Sequence, residues 1–378
     1  MQQMIYLDHN ATTPVDPRVL EEMLPYFNEK FGNAASRNHA FGWEADEAVQ
    51  HSREQISSLI GSKPQEIIFT SGATESNNLA IKGVAKELAT IGNHIITCET
   101  EHKAVLDPIK QLETSGFKVT YLPVDENGII DFIELKAAIT DQTILVSIMY
   151  ANNETGVIQP MKKIAELLKE RNVLFMTDAT QAVGKISIDV NDLQIDLMSF
   201  SGHKMYGPKG AGGLYVKSNV KIGAQIEGGG HERGMRSGTL NVPGIVGLGK
   251  ACELSGMEMQ EETARLWSLR EKLEQATLKI PRTLLNGHTD HRLPHVSNMS
   301  FEDVDGEKLL LSLNEIAISQ GSACTSATFE PSHVLKAMGV SDDLAFATLR
   351  FGLGRFTTEE EIDVVIEKIE KAVTQLRK

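Results

Sequence analysis

Between residues 64 and 216 the chain repeats one pattern, a short and nearly uninterrupted apolar run followed by a stretch with apolar residues at helical spacing. The runs are EIIFT (66–70), HIITCE (94–99), KVTYLP (118–123), ILVSIMY (144–150), VLFMTD (173–178), DLMSFS (196–201) and GLYV (213–216). Runs without polar alternation suit strands buried on both faces. Segments such as NNLAIKGVAKELA (77–89) and KKIAELLKERN (162–172) supply the amphipathic helices that cover them. The pattern predicts an α/β fold, a mostly parallel seven-stranded sheet between helices. Asp16 and Pro17 predict the start of a helix through RVLEEMLPYF, as N-cap and first-turn residue.

After about residue 260 the texture changes. A charged helix, EETARLWSLREKLEQATLKI, precedes mixed segments and a closing helix, TEEEIDVVIEKIEKAVTQLRK. This predicts a large domain over 15–260 and a smaller α+β domain built from 1–14 and 261–378.

Composition narrows the class. With 378 residues, 41% apolar and 23% charged, and no low-complexity run, the chain is a folded globular protein. Its net charge of −14 repels phosphate backbones and anionic lipids, which excludes nucleic acid and membrane partners. No apolar run approaches the roughly 18 residues of a spanning helix, and no basic leader precedes an apolar one, so the expected location is the cytoplasm. Cys98, Cys252 and Cys324 are too widely spaced for a CxxC metal site or a disulfide framework, which fits a reducing compartment.

In open α/β sheets ligands bind beyond the carboxyl ends of the strands, and five runs lead into polar clusters there. Ser71-Gly72-Ala73-Thr74 opens a helix, which suits a phosphate or a plain capping turn. Thr100-Glu101-His102 leaves an imidazole at a strand end, and Asn152-Asn153-Glu154 reads equally as an Asx turn. Asp178 closes a strongly apolar strand and calls for a cationic partner, a need that an ordinary salt bridge also meets. Ser201-Gly202-His203-Lys204 puts an amine between a buried strand and a Pro/Gly turn, a setting for Schiff-base chemistry. Each cluster alone is weak. Together, a phosphate cradle, an amine and an acid for a pyridine nitrogen meet the requirements of pyridoxal phosphate. GIVGLGKA (244–251) imitates a nucleotide loop, but Ala251 stands where a metal-binding hydroxyl is required and the segment reads as a helix.

The motifs YLDHNATTP, FTSGATESNNLAIKG, TEHKAVLDP, NNETGVIQP, DATQAVGK, SFSGHKMYGPKG, GGGHERGMRSGT, QGSACTS, EPSHVL and RFGLGRFTTEEE run in order through nearly the whole chain. In this the chain resembles the cysteine desulfurases of the NifS and IscS type. The resemblance implies a homodimer of fold-type I architecture that carries pyridoxal phosphate and converts L-cysteine to L-alanine. It implies that Lys204 forms the Schiff base, Asp178 pairs with the pyridine nitrogen, Gln181 bonds the ring hydroxyl, and His102 stacks on the ring. Ala73, Thr74, Ser201 and His203 would hold the phosphate, joined by Thr239 from a second copy. Asn153 would contact cofactor and substrate, and Arg350 would clamp the substrate carboxylate.

Cys324 would be the nucleophile that receives sulfur as a persulfide, on a segment of small residues suited to movement. It would then pass the sulfur to an iron–sulfur scaffold protein or other acceptors. In such a complex Cys324 is also the candidate transient ligand of iron. Cys98 and Cys252, inside a strand and a helix, read as buried small hydrophobes. Ala34 stands where relatives usually carry proline, and the chain ends at TQLRK, short of the tail that helps dock the scaffold in longer IscS-type members. The competing readings are a selenocysteine lyase or aminotransferase on the same fold, which needs Lys204 without needing Cys324, and a cofactor-free interaction subunit.

Overall fold

The structure, a computed structural model, describes residues 4–320 and 330–378. The expected nucleophile, Cys324, lies outside the described residues. All seven apolar runs form strands. After a short first strand, β1 (Ile5–Tyr6), come β2 (Ile67–Thr70), β3 (His94–Cys98), β4 (Lys118–Leu122), β5 (Thr143–Ser147), β6 (Leu174–Asp178), β7 (Leu197–Ser201) and β8 (Gly212–Val216). Strands β2 to β8 make one sheet in the order β2-β8-β7-β6-β5-β3-β4. Only β8 runs against its neighbours, β2 and β7, so six of the seven strands end on the same edge of the sheet.

The lack of polar alternation has a direct cause in the layers. Ile67, Phe69, Ile96, Val146, Phe175, Met198 and Phe200 pack into a core with helices Ala40–Ile60, Met161–Arg171 and the start of Val242–Thr277. Ile68, Ile95, Leu145, Met176, Leu197 and Leu214 pack on the other face against helices Ala73–Leu88 and Lys103–Thr114. Successive side chains of a strand point to opposite faces, and here both faces are dry. Asp16 caps the helix Pro17–Met23 by accepting from the Arg18 N–H at 3.0 Å, with Pro17 at the first helical position.

The nucleotide-loop imitation lies inside the 36-residue helix Val242–Thr277. Its glycines serve packing: a Cβ on Gly249 would sit 2.8 Å from the Cα of Ser52 on the helix Ala40–Ile60. Farther along, Leu266, Leu269 and Leu273 of the same helix join a second, smaller core. That core holds β9 (Thr283–Leu285), β10 (Val296–Phe301) and β12 (Thr348–Gly352), an antiparallel sheet in the order β12-β10-β9, and the helix Glu359–Leu376. The first strand belongs here too, since β1 pairs in parallel with β11 (Ile316–Ala317). The two cores thus share one continuous helix, and the N-terminal residues cross from the smaller core to the edge of the main sheet.

The long helix is tied to the turn before β10 by a buried ion pair. Arg292 donates to both Glu274 carboxylate oxygens, at 2.8 and 2.5 Å, with both side chains nearly excluded from water. Truncating one partner leaves an uncompensated buried charge. Glu274→Ala is expected to lower unfolding stability by about 3–5 kcal/mol, measured by denaturant titration; a loss under about 1 kcal/mol would show the pair to be inconsequential.

Candidate active site

Along the shared strand edge the chain leaves the sheet repeatedly through small or polar residues, and their side chains converge. One cavity of about 450 Å³ is lined by Ala73 and Thr74 beyond β2, His102 beyond β3, Asn153 beyond β5, Asp178 and Gln181 at β6, and Ser201, His203 and Lys204 at β7. Arg350, from β12 of the smaller sheet, completes the wall. Nine residues drawn from five strand ends, with the arginine, therefore share one space. A neighbouring groove of about 630 Å³ shares Thr74, His102, Asn153 and Arg350 with it and leads past Lys82, Lys103 and His333.

Lys204 ends a single 3-10 turn, Gly202–Lys204, directly after β7. Its Nζ donates to the carbonyls of Asn10 at 2.5 Å and Ala11 at 2.7 Å. The Gln181 Nε2 donates to the same Asn10 carbonyl at 3.0 Å. The N-terminal segment is held in place by Thr13, which donates to the His203 carbonyl at 3.0 Å and accepts from the Tyr206 N–H at 2.8 Å. His203 Nδ1 lies 3.1 Å from Thr12 Oγ1, and burial, then Lys204 and Lys209, lower its pKa to about 4. At neutral pH this imidazole is uncharged and acts as a dipole.

Asp178 is 6% exposed. It accepts from Asn77 Nδ2 at 2.7 Å and from the Thr180 N–H at 2.9 Å. The cationic protein partner expected from the sequence is missing: among the described residues no ion pair reaches Asp178. Its donors are neutral, and its charge faces a cavity. A second carboxyl nearby, Glu101, is fully buried and accepts from the Met149 N–H. Burial, then the charge of Asp178, pushes its pKa well above the usual carboxylate value.

The phosphate cradle expected at Ala73 and Thr74 has the required backbone. Gly72 precedes the helix Ala73–Leu88 at φ +152° and ψ −179°, a conformation open to glycine, and no side chain caps the helix there. A Cβ on Gly212 would lie 2.6 Å from the Gly72 Cα, so the strand also needs its glycine for the loop to sit this close. His102 is the N-cap of Lys103–Thr114 and accepts the Ala104 N–H on Nδ1 at 3.0 Å. That fixes the tautomer: Nε2 carries the proton.

Thr239 is the exception among the expected residues. It is exposed and lines, with Arg236, an adjoining recess of about 80 Å³ that shares Ser71 and Gly210 with the cavity. Sequence reasoning also passed over Asn10, Ala11 and Asn77. The first two lie in the YLDHNATTP motif but act through backbone carbonyls, which carry no side-chain signature; Asn77 was read only as part of a helix face.

A buried acid without a protein cation, an amine held at a strand end and an uncapped helix N-terminus together fit pyridoxal phosphate. They define a class of protein, the fold-type I enzymes that use this cofactor. Comparison with known proteins agrees. The family described as Aminotransferase class-V matches residues 5–365, and the chain belongs to it. Within the family, it is 56% identical over 381 aligned positions to a protein named cysteine desulfurase IscS from Photorhabdus laumondii, covering 100% of this chain and 94% of that one. Cysteine desulfurase IscS from Escherichia coli O139:H28 is also 56% identical with the same coverage. Among solved structures, a NifS-like protein superposes with a TM-score of 0.93 at 41% identity over 99% of this chain and all of that one. A structure described as SspA in complex with cysteine gives 0.83 at 38% identity over 94% of this chain and 100% of that one.

Cys98 and Cys252 are free, fully buried thiols, and burial pushes each pKa up to about 12. They are protonated and inaccessible at neutral pH. A soluble thiol reagent at pH 8 is therefore expected to modify one cysteine per chain rapidly, and none in Cys324→Ser; a second fast thiol would contradict this.

Proposed function

We propose that the chain is a pyridoxal phosphate-dependent cysteine desulfurase that moves sulfur from L-cysteine to Cys324 and releases L-alanine. The observation that carries the reading is the single cavity in which Lys204, Asp178, His102 and Arg350 meet, in a chain more than half identical to the IscS enzymes. Asp178 would hold the pyridine nitrogen protonated, Gln181 would bond the ring hydroxyl, and Lys204 would carry the cofactor. The backbone at Ala73 and Thr74, with Ser201 and His203, would hold its phosphate. When bound, the cofactor supplies an electron sink for the substrate α-carbon.

The chain's own groups do the rest. Arg350 holds the substrate carboxylate, and Asn153, whose carbonyl accepts from Arg350 Nη1 at 3.1 Å, keeps that guanidinium at the cavity wall. The Lys204 amine would take the α-proton on Nζ and later return it. His102 lines the cavity, where its Nε2–H would donate a hydrogen bond. The Cys324 thiolate attacks the substrate sulfur, so an S–S bond forms as the C–S bond breaks, and the carbon keeps the electron pair and gains a proton. The products are L-alanine and a Cys324 persulfide, which serves acceptors for iron–sulfur cluster assembly.

The same proposal includes a homodimer. Thr239 contributes to phosphate binding only if a second copy brings it, and Phe27, Phe31, Phe41 and Trp43 are large apolar side chains left exposed near the N-terminus. Exposed aromatics of this kind, with Phe31 and Phe41 ring to ring at 5.4 Å, suit an obligate interface. No helix among the described residues is long and apolar enough to cross a membrane; a reducing cytoplasm suits the free thiols.

Under anaerobic conditions with a reductant, L-cysteine is expected to yield L-alanine and sulfide. Cys324→Ser should lower sulfide release more than about 100-fold while the resting absorbance of the cofactor persists; sulfide release at the original rate would remove Cys324 as nucleophile. Light scattering should give about 83 kDa, twice the 41.5 kDa of one chain.

A further inference from the structure

The guanidinium of Arg350 is already partly engaged. The residue is 3% exposed, and its Nη2 donates to Asp8 Oδ1 at 2.8 Å and to Ser319 Oγ at 3.2 Å. Nη1 donates to the Asn153 carbonyl, and Nε, buried, finds no partner among the described residues. Ser319 Oγ donates to the same Asp8 oxygen at 2.9 Å.

Asp8 is fixed by its backbone. It bridges Gly352, two residues beyond Arg350, and the next residue, His9, donates its N–H to the Gly352 carbonyl at 3.1 Å. The Tyr6 hydroxyl donates to the Asp8 carbonyl at 3.2 Å. The Asp8 side chain is 17% exposed, so water still reaches part of it.

An arginine this buried needs a counter-ion when the site is empty, and the ordinary reading of Asp8 stops there. Its position has a further consequence. A ligand carboxylate that binds the N–H groups left on the guanidinium joins a cation already neutralised. Two carboxylates then share one guanidinium in a poorly solvated cavity, and their repulsion opposes binding.

We propose that Asp8 is a resident counter-ion that weakens the Arg350 clamp for every α-carboxylate, so that L-alanine, which retains that group, leaves readily. The inference rests on the reading of Arg350 as the carboxylate clamp. It makes Asp8 a positioning residue: it acts through the guanidinium and does not reach the reacting atoms. Binding energy removed from substrate and product alike speeds release without touching the chemical step.

Asp8→Asn keeps an acceptor for Arg350 and Ser319 and removes the charge. Titration of the cofactor-loaded enzyme with L-alanine, followed by the absorbance of the bound cofactor, is expected to give a Kd about tenfold lower than in the unaltered protein. Asp8→Ser should shift it the same way, and Asp8→Glu should stay within about twofold, because it restores the charge. Ethylamine, an amine without a carboxylate, should bind all four proteins alike.

An unchanged or raised Kd for L-alanine in both uncharged variants overturns the proposal, as does an equal shift for ethylamine. Arg350→Lys separates the two readings. If it leaves L-alanine binding intact, the clamp itself is wrong; if it weakens L-alanine binding while the uncharged Asp8 variants do not tighten it, the clamp stands and the role of Asp8 falls.

Discussion

A sheet covered by helices on both faces leaves its strands no solvated place for charge, and the layout of the site depends on that constraint. A polar group in the middle of β5 or β6 would meet helices on either side, and burying it without a partner costs several kcal/mol. Charge therefore collects at the strand ends, where the chain leaves the sheet. Six of the seven strands end on one edge. The cavity is the consequence of that shared polarity, combined with the N-terminal segment and one arginine from the smaller sheet.

Charge inside that cavity is rationed by burial. Behind the cavity wall, burial and the charge of Asp178 push the pKa of Glu101 up, whereas Asp178 has two good donors and an open side. Arg350 is neutralised by Asp8, and His203 is uncharged at neutral pH. Asp178, bonded only to neutral donors, is thus the acid left without a cation from the described residues. The buried pair Arg53 and Glu232 obeys the same rule far from the cavity, at the edge of the sheet: Arg53 Nη1 donates to the Ile67 carbonyl and Glu232 accepts the Phe69 N–H, satisfying the unpaired side of β2.

Much of this was legible in the residues. The seven apolar runs became the seven strands because continuous hydrophobicity over four to seven residues admits few other outcomes once helical segments separate them. Lys204, Asp178 and His102 could be found because they are polar residues immediately after such runs. Other parts were opaque for physical reasons. Asn10 and Ala11 act through carbonyl oxygens that every residue possesses. The neutral partners of Asp178 could not be told from an ion pair, since a sequence shows that a charge needs compensation without showing what is near. The long helix hid the join between the cores, because its apolar stripe runs on without a break as the surface beneath it changes.

The sequence by itself determined the sheet, its polarity, the helices that cover it and the residue types at the strand ends, because these follow from local periodicity and from the cost of burying polar groups. Tertiary structure alone decided who meets whom: that the residues before β2 fold back onto Lys204, that Arg350 arrives from a different sheet with Asp8 on its guanidinium, and that Thr239 lines an adjoining recess rather than the cavity itself. Those meetings join positions up to hundreds of residues apart. No local pattern encodes them, since they are set by how the two cores close on each other.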